Sequence, residues 1–135
     1  MQEHVNTAAV KPLKILVVED DTLTRVTLCK LFQRMNFETC EACNGFMAMK
    51  MLHQENPDVI VTDLLMPDKE GLETIAEIRR ENQDIKIVAM SGGGHTRNTS
   101  FLDIAKELGA NYTLAKPFRP AEILDLIKNL SAPGA

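Results

Sequence analysis

Five residues stand out, because each lies at the end of an apolar run that reads as a buried strand. Glu19 and Asp20 follow "LKILVV", Asp63 closes "PDVIVTD", Ser91 follows "DIKIVAM", and Lys116 sits in "NYTLAKP". In an open α/β sheet the ligand crevice lies beyond the carboxyl ends of the strands. Separate strand ends therefore bring three carboxylates, one hydroxyl and one ammonium together. Three carboxylates held close repel one another and call for a cation. An all-oxygen set suits a hard ion such as Mg²⁺, which keeps several waters and favours a phosphate partner. The carboxylates, one divalent cation and the ammonium are neutral together, and both cations can bind phosphoryl oxygens. Phosphoryl transfer needs mainly positioning and charge neutralisation, and a carboxylate can accept the group as an acyl phosphate.

Taken singly, each residue has a plainer reading. A lone acid at a strand end more often caps a helix or meets solvent. Asp21, where the first helix begins, is read as such a cap. Lys116-Pro117 alone says little. The constellation carries the information.

The elements that must position it are legible from periodicity. Residues 1–12 are polar and aperiodic and read as a disordered tail. Runs at 13–18, 57–63 and 84–90 are continuously apolar, as in strands covered on both faces, with shorter strands at 37–42 and 111–117. Between them lie helical stripes: Thr24, Leu28, Leu31, Phe32 and Met35; residues 46–54; Leu72, Ile75 and Ile78; Phe101, Ile104, Ala105 and Leu108; Ile123, Leu126, Ile127 and Leu130. Asn44-Gly45 reads as a turn, Ser100-x-x-Asp103 as a capping box, and Gly109 as a C-cap. Residues 131–135 read as a frayed end. Five strand–helix alternations imply an α/β fold with a parallel sheet and helices on both faces.

Bulk properties exclude several classes. A chain of 135 residues fits one domain, and 44% hydrophobic with 25% charged residues is a soluble globular composition. A net charge of −4 argues against nonspecific nucleic-acid binding. There is neither a membrane-length apolar run nor a signal-peptide core, so a cytoplasmic protein without a membrane partner is expected. Cys40-x-x-Cys43 lacks a second ligand pair, and Cys40 continues a strand, so packing is preferred over a metal or redox role.

Ser91 also invites an enzyme reading, since Ala89-Met90-Ser91-Gly92-Gly93 approaches a nucleophile elbow. A hydrolase needs a later histidine, and only His95 follows, in the same loop. A Walker loop needs Gly-Lys-Ser/Thr, whereas His95-Thr96 follows Gly94.

The runs "ILVVEDD" (15–21), "EACNG" (41–45), "DVIVTDLLMPDKEGLE" (58–73), "IVAMSG" (87–92) and "AKPF" (115–118) closely resemble those of a response-regulator receiver domain of two-component signalling. The resemblance spans roughly residues 13–130 and is to the stand-alone, chemotaxis-regulator-like form. It implies a doubly wound, flavodoxin-like fold of five parallel strands in the order 2-1-3-4-5 with five helices. Asp63 is then the phosphoacceptor, taking a phosphoryl group from a kinase phosphohistidine. Glu19, Asp20, Asp63 and the Leu65 backbone carbonyl hold Mg²⁺, with Mn²⁺ as an alternative ion. Ser91, the Gly92 N–H and Lys116 meet the phosphoryl group, while Pro67, Gly71 and Pro117 are structural, with a cis peptide at Lys116-Pro117. Such a domain is a switch that promotes its own phosphorylation and dephosphorylation rather than a conventional enzyme. Its partners are a sensor histidine kinase or phosphotransfer protein and a downstream protein, signalled through the fourth helix, fifth strand and fifth helix. The alternative is a degenerate, unphosphorylated receiver that serves as an interaction module. Oligomeric state is left open.

Some positions depart from the family pattern. Thr113 stands where an aromatic switch residue is usual, and Tyr112 should face the other way in a strand. Output is therefore expected mainly through backbone movement of residues 91–99. Leu65 and Gly93 lack the polar groups that often steer a hydrolysing water, so slow self-dephosphorylation is expected. Phe46 and Met47 replace more usual charged residues and read first as a partly buried helix end, with a docking patch as the alternative. Gly93 and Gly94 soften a long link after Ser91, in which His95 and Arg97 are read as solvated, Arg97 within reach of a phosphoryl group.

Overall fold

Each apolar run becomes a parallel strand. The computed structural model describes residues 12–65, 71–92 and 99–131. Among these, β1 (Lys14–Val18), β2 (Glu38–Ala42), β3 (Val59–Asp63), β4 (Lys86–Ser91) and β5 (Tyr112–Ala115) form one sheet in the order β2-β1-β3-β4-β5. Four parallel pairings hold it, with Val18 beside both Ala42 and Thr62, and Asp63 beside Met90. The helices are α1 (Thr22–Arg34), α2 (Gly45–Glu55), α3 (Gly71–Glu81), α4 (Thr99–Leu108) and α5 (Pro120–Ser131). The expected doubly wound fold is the one observed.

Alternation along the strands splits the core in two. Leu16, Val18, Ile60, Ile87 and Ala89 pack under α2, α3 and α4, whose Met49, Leu52, Ile75, Ile78 and Ala105 complete that layer. Ile15, Val17, Val59, Val61, Val88 and Met90 pack under Leu28, Cys29 and Phe32 of α1 and Ile123 and Ile127 of α5. Burial of such aliphatic side chains contributes roughly 1.5–3 kcal/mol each before chain entropy is counted.

Local chemistry sets the element ends. Asp21 caps α1 as expected, its carboxylate accepting from Thr24 N–H at 2.8 Å. Asn44 is a cap rather than a turn residue: its Oδ1 accepts from Met47 N–H at 2.8 Å, and Gly45 already belongs to α2. Gly109 has φ +123° and ends α4, with its N–H bonded to Lys106 and that of Ala110 to Ala105.

Several boundaries differ from the sequence reading. α4 already includes Thr99, so Ser100 lies inside the helix rather than flanking it. β5 ends at Ala115: Lys116 N–H still reaches Ser91 O, but Pro117 has no N–H with which to carry the pairing on. β4 starts at Lys86, because Asn82 Oδ1 instead takes the N–H groups of Asp84 and Ile85. On α1, Cys29 is buried, whereas Met35 is an exposed C-cap.

Candidate functional site

The carboxyl ends of β1, β3 and β4 and the residue after β5 carry the predicted groups. Glu19 follows β1, Asp63 and Ser91 are the last residues of β3 and β4, and Lys116 follows β5. The ladder continues past the strands to hold them: Glu19 N–H donates to Ala42 O at 3.0 Å, Leu64 N–H to Met90 O at 2.9 Å, and Lys116 N–H to Ser91 O at 2.8 Å.

One carboxylate oxygen from each of Glu19, Asp20 and Asp63 falls within 4.8 Å of the others. Glu19 and Asp63 are buried, and Asp20 is exposed. Lys116 Nζ donates to Glu19 Oε1 at 2.8 Å and lies 3.5 Å from Asp63 Oδ2. The other Asp63 oxygen accepts a long contact, 3.4 Å, from Leu65 N–H. Burial pushes Asp63 and Glu19 above the usual carboxylate range, and Lys116 offsets this only in part. Burial alone would lower the Lys116 ammonium, but its bond to Glu19 and the charge of Asp63 outweigh that and raise it. An all-oxygen cluster with so little internal counter-charge fits a hard divalent ion.

Ser91 Oγ is buried and has no hydrogen-bond partner among the described residues. A buried hydroxyl gains from meeting an acceptor, so Ser91 is placed to donate to a group that enters beside Asp63. No base among the described residues is bonded to it, and His53 pairs with Glu81 across α2 and α3. The hydrolase reading therefore finds no dyad among the described residues.

Glycines let the backbone approach closely. A Cβ on Gly71 would stand 2.2 Å from Asp63 O and 2.6 Å from Leu64 Cα, so α3 can begin directly beneath the end of β3 only with glycine. A Cβ on Gly92 would stand 3.0 Å from Lys116 Cδ, so this glycine leaves room for the lysine stem.

Thr113 pairs with Ala89 on the α2–α3–α4 face, while Tyr112 packs into the opposite layer, as its register predicts. Phe46 is 62% exposed and Met47 37%, so the partly buried helix end is corrected to an exposed one. Cys40 is buried and pushed up to about 11 by desolvation, whereas Cys43 is exposed, so the C-x-x-C does not present a matched pair. Pro67, Gly93, Gly94, His95, Arg97 and the tail to residue 11 lie outside the described residues.

Two features escaped sequence reading. A groove of about 520 Å³ runs beside Lys116, lined by Leu23, Leu28, Leu31, Pro117 and Phe118. Arg25, in the first part of α1, donates from Nη1 to the Glu19 carbonyl at 2.8 Å and from Nε to Glu41 Oε1 at 2.9 Å. Only a basic residue six positions after Glu19 hinted at this contact.

A family model described as the response regulator receiver domain matches residues 15–128. Sporulation initiation phosphotransferase F of Bacillus subtilis is 31% identical over 115 residues, covering 85% of this chain and 90% of that protein. Chemotaxis protein CheY of Listeria monocytogenes is 30% identical over 117 residues, covering 86% and 96%. A solved putative response regulator from Chloroflexus aurantiacus superposes with a TM-score of 0.81 at 28% identity, covering 89% and 98%. No helix among the described residues is long and apolar enough to cross a membrane.

Proposed function

Because this chain belongs to the response regulator receiver domain family, whose members are phosphoacceptor switches, we propose that Asp63 accepts a phosphoryl group and that the domain, over residues 13–130, signals by itself to a protein partner. The single observation that carries this reading is the convergence of a loosely held, buried Asp63 with Lys116 and a buried Ser91 hydroxyl that has no partner among the described residues.

Each residue has a task in that reaction. An Asp63 oxygen attacks phosphorus, the P–N bond to the donor imidazole breaks, and the imidazole leaves with the bonding pair. The new group carries more negative charge than the carboxylate it replaces. Lys116 Nζ, already 3.5 Å from Asp63 Oδ2, turns from Glu19 toward a phosphoryl oxygen. Ser91 supplies its hydroxyl and Gly92 its N–H. Glu19, Asp20, Asp63 and the Leu65 carbonyl are the groups that would hold Mg²⁺ or Mn²⁺. Such an ion supplies charge neutralisation for the transferring group.

Receiver domains interact with histidine kinases or phosphotransfer proteins. The apolar groove beside Lys116 supports docking of such a donor on α1, next to the acceptor. Movement of Ser91 and Gly92 toward the phosphoryl group would pull on the segment leading to α4, so output runs through α4, β5 and α5. With Thr113 rather than an aromatic in β5, the signal travels mainly in the backbone.

A phosphohistidine-bearing donor labelled on phosphorus tests the reading. Label should pass to the wild-type chain and not to Asp63→Asn. Retention of all label on the donor across a set of kinases would favour an unphosphorylated interaction module instead.

A further inference from the structure

We propose that Arg25, braced by Glu41, is a positioning residue that fixes the Glu19-Asp20 turn for cation binding. This inference rests on the reading of that turn as the cation site. Glu19 is held at every polar atom. Its N–H goes to Ala42 O, its two carboxylate oxygens to Lys116 and the Asp21 N–H, and its carbonyl to Arg25. Three of these contacts leave the direction of the following peptide unfixed. The Arg25 bond to the carbonyl sets it, and with it the place from which the exposed Asp20 carboxylate departs.

Arg25 can do this because a guanidinium presents donors in a rigid planar fork. Nη1 reaches inward to the Glu19 carbonyl while Nε is held by Glu41 on β2. The arginine side chain is largely covered, 16% exposed, whereas Glu41 is 45% exposed. The brace thus ties α1, β2 and the β1–α1 turn together at one point. A lysine has a single terminal nitrogen and cannot span both acceptors with the same geometry.

Charge and geometry predict opposite results, which makes the inference testable. By charge alone, a cationic side chain beside a cation site repels the ion, so its removal should tighten binding. By geometry, its loss frees the turn and weakens binding. Groups that orient metal ligands typically matter by ten- to a hundredfold in affinity.

The experiment is a Mg²⁺ titration of the full chain followed by calorimetry, with amide exchange at Asp21 measured separately in metal-free protein. Arg25→Lys and Arg25→Gln should each weaken Mg²⁺ binding by roughly tenfold. Both should also speed exchange of the Asp21 amide, whose acceptor Glu19 is no longer fixed. Glu41→Gln, which leaves Arg25 in place but loosens its brace, should show a smaller loss and covers the case in which an Arg25 variant fails to fold. Unchanged binding in Arg25→Lys with tighter binding in Arg25→Gln would overturn the proposal and leave a purely electrostatic neighbour. If the wild-type chain binds no Mg²⁺, the cation reading of the turn fails. The Asp21 exchange rate then decides the positioning role, and a rate unchanged by Arg25→Lys contradicts it.

Discussion

Lys116 lies closer to Glu19 than to the proposed acceptor, with its ammonium 2.8 Å from Glu19 Oε1 and 3.5 Å from Asp63 Oδ2. Without a metal or a phosphoryl group, the lysine is the internal counter-ion of a buried acidic cluster. Breaking a buried pair by removing one partner leaves the other charge uncompensated. Lys116→Met should lower stability by about 3 kcal/mol in metal-free buffer, and millimolar Mg²⁺ should restore most of it. Denaturant unfolding with and without Mg²⁺ measures both. An equal loss in the two buffers would show that the lysine and the metal do not share the same charges.

Asp63 makes folding stability depend on pH. Burial raises its folded pKa, and that of Glu19, above the unfolded values. The folded state therefore binds more protons in this window, so stability falls as pH rises through it. Lys116 is raised above 10.5; its contribution is complete below that value and is lost only as pH climbs through the higher folded pKa. Of these three groups, only the two carboxylates vary from mild acid to neutrality. Asp63→Asn should accordingly melt a few degrees above wild type near neutral pH, with the gap closing toward about pH 4, the unfolded carboxylate range. A gap that widens on acidification would contradict this sign.

Ser91→Ala removes a buried hydroxyl that has no partner among the described residues. Deleting an unsatisfied buried group costs little or stabilises. The variant should melt at or slightly above the wild-type temperature and still accept a phosphoryl group. It should lose most of the phosphorylation-dependent change in amide exchange along α4. A clear drop in melting temperature would mean that the hydroxyl is already bonded.

Leu65 is an apolar residue, 40% exposed, two positions after the proposed acceptor Asp63. It offers no group to align a hydrolysing water, so the acyl phosphate should persist for minutes rather than seconds without a phosphatase. Leu65→Gln should shorten that lifetime by at least roughly tenfold. An equally slow decay in Leu65→Gln would place the control of hydrolysis elsewhere.

The sheet and the acidic cluster were legible because buried strands leave continuous apolar runs and because their ends carry chemistry. Glu19, Asp63, Ser91 and Lys116 each sit where the pattern changes from apolar to polar. What stayed hidden depends on contacts between distant elements. Arg25 reads as an ordinary surface residue of an amphipathic helix until α1 is packed over β2. Gly71 appears only as part of a motif, and its close approach to Asp63 becomes visible once α3 is placed. Phe46 and Met47 are exposed because α2 buries Gly45, Ala48, Met49 and Leu52 against the sheet, a choice of face that the helical pattern of residues 46–54 alone does not settle.

The central claim is that Asp63, and not Ser91, carries the phosphoryl group. Intact-mass measurement after incubation with Mg²⁺ and a small phosphodonor tests it, followed by treatment with hydroxylamine, which cleaves acyl phosphates and spares serine esters. One phosphoryl adduct is expected on wild type and on Ser91→Ala, removed by hydroxylamine, and none on Asp63→Asn. An adduct that survives hydroxylamine, or one that persists in Asp63→Asn, would contradict the account.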